Sequence, residues 1–162
     1  MIPTVTDDRS VDTAAEFVRD RYGRIDVLIN NAGIGSQIRH SSLSGGVREA
    51  LRRVLDTNVT GAVSATEAFM PLLLTKSPRS IAQPKRIIFI SSTTGSLTYA
   101  SDPNHVLHGS GGAIDYRTSK AALSMVTIQY DALLRGRVVV HGVNPGCMLK
   151  SPSPLAPGIA FS

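Results

Sequence analysis

Three short runs of branched aliphatic residues set the strongest limit on how this chain folds: Ile25-Asp26-Val27-Leu28-Ile29, Arg86-Ile87-Ile88-Phe89-Ile90-Ser91-Ser92 and Val138-Val139-Val140-His141-Gly142-Val143. They do not alternate apolar with polar residues, as a strand with one wet face would. Each therefore reads as a strand buried on both faces, the kind found in covered parallel sheets. The first ends in Asn30-Asn31-Ala32-Gly33 and the third in Asn144-Pro145-Gly146, clusters that favour tight turns.

Between these runs the period lengthens. Val11, Ala14, Ala15, Phe17 and Val18 stand at helical spacing within Ser10 to Tyr22, with Ser10 as the expected cap and Gly23 as the stop. Leu51, Leu55, Val59, Ala62, Val63, Phe69 and Met70 predict a long helix from Val47 to about Leu74, with bends at Gly61 and Pro71. Another helix is predicted from Tyr116 to about Leu134, after a long aperiodic loop from Thr93 to Asp115. Strands alternating with helices predict right-handed crossovers. The fold expected is α/β, a partial doubly wound parallel sheet (an incomplete Rossmann-like fold) with helices on both faces. A chain of 162 residues has room for one domain, placed at residues 1–150; residues 151–162, with four prolines or glycines, form a tail without a pattern.

Hydrophobic residues at 42% are enough for a core. The net charge of +5 is spread along the chain, without aromatic interleaving, so no nucleic-acid partner is expected. Cys147 is the single cysteine, which excludes an internal disulfide and multi-cysteine metal sites; His40, His105, His108 and His141 show no metal spacing, and no metal is expected. No apolar run reaches the ~18 to 20 residues of a membrane span, and Met1-Ile2-Pro3-Thr4 does not open a leader, so the expectation is a cytoplasmic protein without a membrane partner.

Tyr116 and Lys120, four apart on a predicted helix, share a face. An ammonium near a phenol favours the phenolate, which makes the hydroxyl a better proton donor and acceptor near neutrality. A chance pair on a helix face is the ordinary alternative. Ser92 sits at a strand end, on the edge where open parallel sheets place ligands, although strand-end serines commonly only cap turns. Asn58 is a poor helix former inside a predicted helix, which suggests a side-chain task or a local distortion.

Five motifs in order, Asp26-Val27-Leu28-Ile29-Asn30-Asn31-Ala32-Gly33, Asn58-Val59-Thr60-Gly61, Ile90-Ser91-Ser92-Thr93-Thr94-Gly95, Tyr116-Arg117-Thr118-Ser119-Lys120 and Asn144-Pro145-Gly146, resemble the short-chain dehydrogenase/reductase family from about Thr4 to Lys150. The resemblance implies a NAD(P)-dependent oxidoreductase acting on a small-molecule ketone or secondary alcohol, with NADP slightly preferred over NAD. It implies that Tyr116 is the general acid/base, that Lys120 assists it and holds the nicotinamide ribose, that Ser92 orients the carbonyl and that Asn58 anchors a water. Asn30, Ala32 and Gly33 would support the sheet and touch the cofactor, and Pro145, Gly146 and Met148 would border the nicotinamide. It also implies association of copies through the long helix and the Tyr116 helix.

The chain departs from the family at its start, at Thr4, at Lys150 and in the loop between Ser92 and Tyr116, which is longer than the family commonly has. The opening strand with its glycine-rich phosphate turn has no counterpart, since Gly109, Gly111 and Gly112 fall in the loop before Tyr116. Thr4 stands where an acidic residue is usual, and Lys150 where threonine is. The expectation is a chain truncated at both ends that keeps the catalytic half, with an exposed edge on its first strand. The alternative is a non-catalytic remnant that binds or dimerises with a partner.

Overall fold

The computed structural model describes residues 4–36, 38, 46–75, 84–108 and 113–146. Met148, Cys147, Lys150, His40, Gly109, Gly111, Gly112 and the tail lie outside these residues. Helix α1 (Asp8–Tyr22) leads into strand β1 (Val27–Asn30). Helix α2 (Gly46–Leu55), a π-helical turn (Asp56–Thr60) and helix α3 (Gly61–Leu74) follow, then strand β2 (Lys85–Ile90). A 3₁₀ turn (Thr93–Gly95), helix α4 (Leu97–Ser101), helix α5 (Ile114–Leu134) and strand β3 (Val138–Val143) complete it.

The sheet is parallel throughout, in the order β1-β2-β3, with Leu28 beside Ile87 and Ile87 beside Val140. Ala62 and Leu73 of α3 and Leu123, Tyr130 and Leu134 of α5 pack against Ile87, Phe89, Val138 and Val140. Side chains alternate across a sheet, so these strand residues all belong to one face. The parallel α/β sheet is the one expected, but the expected helices on both faces are not: among the described residues they cover one. Consecutive strands laid side by side by crossovers of one hand send both connecting helices to the same side. The other face keeps Val27, Ile29 and Val143 at 44%, 57% and 39% exposure. β1 forms an edge of the described sheet.

Helix α1 starts before the predicted Ser10. Asp7 is the cap, its carboxylate accepting the Arg9 N–H at 3.0 Å, while Ser10 Oγ accepts from Thr4 N at 3.0 Å. Gly23 ends the helix in the left-handed conformation, φ 71°, as a glycine stop does. The long helix is continuous but for its π turn. Gly61 serves a close approach, because a Cβ there would fall 2.7 Å from the Val5 carbonyl oxygen. The loop after β2 is also more ordered than its composition suggests: Tyr99 and His105 stack at 4.1 Å, and His108 Nδ1 lies 3.1 Å from the Ala100 carbonyl oxygen. No helix among the described residues is long and apolar enough to cross a membrane.

Candidate active site

The carboxyl ends of three parallel strands meet the start of α5, and the chain turns there are those the motifs mark. They enclose a cleft of about 300 Å³ lined by Asn31, Gly33, Ile34, Gly35, Ile90, Ser91, Ser92, Tyr116, Lys120, Asn144, Pro145 and Gly146. Ser92, Tyr116 and Lys120, far apart in the chain, thus share one polar hollow. A neighbouring cleft of about 500 Å³ shares Ser91, Ser92 and Asn144 and runs toward Leu97, Met125 and Ile128.

Lys120 is nearly buried, and its Nζ donates to the Ile90 carbonyl oxygen at 2.7 Å and lies 5.6 Å from the centre of the Tyr116 ring. One of its three N–H groups is spent on a strand end, so the amine stays fixed beside the phenol. A Cβ at Gly33 would stand 3.4 Å from Asn58 Oδ1 and 3.8 Å from Lys120 Nζ, so the glycine keeps the approach to the amine open. Ser92 caps the 3₁₀ turn: its Oγ accepts the Thr94 N–H at 3.3 Å and pairs with Thr94 Oγ1 at 2.9 Å. That turn presses on α5 through Gly95, where a Cβ would fall 2.6 Å from the Lys120 carbonyl carbon.

Burial lowers the Lys120 amine below its ordinary 10.5. Between that lowered value and 10.5 the unfolded chain holds more protons than the folded one, so stability rises with pH across this window. Below the window the cost of burying the charge is present in full. Lys120→Met is expected to flatten the alkaline rise in Tm; an unchanged slope would show that Lys120 is not its source.

Asn58 is fully buried in the π turn, a feature that recurs at functional sites. Its amide accepts the Ile34 N–H at 2.8 Å and donates to the Ile34 carbonyl at 3.0 Å and to Ser119 Oγ at 2.9 Å. Ser119 Oγ in turn donates to the Tyr116 carbonyl oxygen at 2.7 Å. Asn58 therefore holds the wall of the cleft and the first turn of α5. Asn30 lies beneath the cleft, its amide donating to Thr66 Oγ1 of α3 at 2.9 Å, while its neighbour Asn31 lines it. Ala32 is exposed and is not among the lining residues; Gly33, Pro145 and Gly146 are. Asp115, Ser119 and Ile34 were not singled out from sequence. Asp115 stands next to Tyr116, but nothing in a linear pattern marks a carboxylate as buried.

The family model described as short chain dehydrogenase matches residues 2–153. A short-chain dehydrogenase/reductase of Talaromyces stipitatus is 39% identical, covering 88% of this chain and 54% of that protein. A 3-oxoacyl-[acyl-carrier-protein] reductase of Thermotoga maritima is 31% identical, covering 88% of this chain and 50% of that protein. Among solved structures, the NADPH-bound carbonyl reductase from chicken fatty liver superposes with a TM-score of 0.72 at 30% identity, covering 89% of this chain and 56% of that one. The chain spans about half the length of the curated relatives it matches. The family match across nearly all of the sequence and a sheet and helices shared with solved relatives lead to one conclusion: the chain belongs to the short-chain dehydrogenase family.

Proposed function

We propose that this chain carries the proton-handling half of a NAD(P)-dependent oxidoreductase that interconverts a ketone and a secondary alcohol. The observation behind this is the meeting of Ser92, Tyr116 and Lys120 on one cleft, with the amine fixed 5.6 Å from the phenol ring. A carbonyl reductase and a 3-oxoacyl reductase among the relatives support a carbonyl as the reacting group.

The lining residues suit the nicotinamide riboside end of the cofactor, because Gly33 leaves the Lys120 amine approachable and the hollow is mostly polar. When bound, the cofactor supplies the hydride. Tyr116 gives its proton to the carbonyl oxygen, and Ser92 donates a hydrogen bond to the same oxygen when Thr94 Oγ1 turns its own hydrogen toward Ser92. Lys120 holds the ribose hydroxyls with the N–H groups that Ile90 does not take. The Leu97, Met125 and Ile128 side of the neighbouring cleft gives room to the unreactive part of a substrate.

Titrating NADPH into the 162-residue chain is expected to give saturable enhancement of nicotinamide fluorescence. A flat titration would remove the cofactor from the proposal. It would then favour a second reading, a chain that works by binding a partner, which the uncovered sheet face and the exposed Met125, Ile128 and Leu133 of α5 support.

A further inference from the structure

The two residues that flank Tyr116 reach in different directions. Asp115, fully buried, accepts the Ser36 hydroxyl through Oδ1 at 2.6 Å and the Ile38 N–H through Oδ2 at 3.2 Å. Oδ1 also accepts the Tyr116 N–H at 2.8 Å. Arg117 donates from Nε to the Thr94 carbonyl at 3.1 Å and from Nη2 to the Leu107 carbonyl at 3.3 Å. The first turn of α5 is thus fastened on one side to the chain leaving β1 and on the other to the segment after β2.

Helix α5 needs this. Its cap residue, Ala113, offers no side-chain acceptor, and the first N–H groups of a helix have no partner within it. The Asp115 carboxylate meets one of them and adds a favourable charge at the positive end of the helix. The same carboxylate binds Ser36 and Ile38, which follow directly on Ile34 and Gly35 of the cleft wall.

We propose that Asp115 is a positioning residue: it locks the cleft wall after β1 to the turn that carries Tyr116 and so sets where the phenol stands. The proposal rests on the oxidoreductase reading only for why that placement matters, and its test needs no turnover. Asp115→Asn keeps an acceptor for Ser36 and for Tyr116 N–H but turns an NH₂ toward the Ile38 N–H. Ser36→Ala removes the shorter of the two described bonds from the other side, keeps the Ile38 N–H on Oδ2 and changes no residue of α5, so it carries the test should the Asp115 variant not fold.

Two measurements on the 162-residue chain decide it. In Asp115→Asn, the Ile38 amide is expected to exchange its hydrogen about tenfold to a hundredfold faster, the effect of one lost charge-assisted hydrogen bond. The Ile34 amide, held by Asn58, should stay protected; equal acceleration of both would mean general loosening and overturn the proposal. In chain labelled with ¹³C at the tyrosine ring, the resonance absent from Tyr116→Phe should shift in Asp115→Asn and in Ser36→Ala. In the double variant it should shift by less than the sum, as for residues acting through one contact. A Tyr116 resonance that stays in place in the folded variants overturns the proposal. A shifted resonance with a flat NADPH titration leaves the positioning intact and removes the function instead.

Discussion

Replacing Tyr116 by phenylalanine is expected to lower kcat for ketone reduction by about 10²-fold to 10⁴-fold, the usual contribution of a positioned general acid. The change removes a hydroxyl and keeps the ring beside Lys120 Nζ, so the fold and NADPH affinity should not move. Tm by circular dichroism and the fluorescence titration give the two controls, and steady-state rates give the answer. Should turnover persist at the parent level with both controls unchanged, the proton comes from elsewhere and the role assigned to Tyr116 is wrong. A fall in affinity alone would place the hydroxyl in binding rather than in proton transfer.

The second large effect concerns stability. Asn58→Leu swaps a fully buried amide for an apolar group of similar size, strands the Ile34 N–H and the Ile34 carbonyl, and leaves Ser119 Oγ with its bond to the Tyr116 carbonyl alone. Each buried polar group left without a partner costs about 1–3 kcal/mol, and partial rearrangement brings the sum to about 3–5 kcal/mol. Against a total stability of about 5–15 kcal/mol this is a severe loss. Urea denaturation should show a markedly lower midpoint with little change in slope. A midpoint within experimental error of the parent's would mean that the amide bonds are replaced by water at no cost, and Asn58 would cease to be the clamp described above. Loss of the π turn without loss of stability would have the same meaning.

Much of this architecture lies open in the linear sequence. Runs such as Ile87-Ile88-Phe89-Ile90 are apolar at every position, the pattern of strands in parallel sheets rather than of strands with one wet face. The third strand falls on the predicted Val138–Val143, and Gly23 ends its helix because a residue without a Cβ takes φ 71° at no cost. The candidate residues Ser92, Tyr116 and Lys120 could be marked because each sits at a strand end or one helical turn from the next. Those are local relations.

Other properties depend on which distant segments meet. Asn58 could be flagged as out of place in a helix, but its partners, Ile34 and Ser119, are 24 and 61 residues away and follow from how α2 lies on α5. Asp115 reads as an ordinary acidic residue in a loop until Ser36, 79 residues before it, arrives at its carboxylate. The coverage of one sheet face was likewise beyond the pattern: periodicity tells which residues want burial, whereas strand order and the hand of the crossovers decide which side receives the helices. Hydrophobic period and turn chemistry are properties of neighbours in sequence, so the sequence alone determined the three strands, the long helices and their order, but not helix α4 or the 3₁₀ turn, which lie in the stretch expected to be a loop. Burial, hydrogen-bond partners and the shape of the cleft are properties of neighbours in space, and only the tertiary structure decided them.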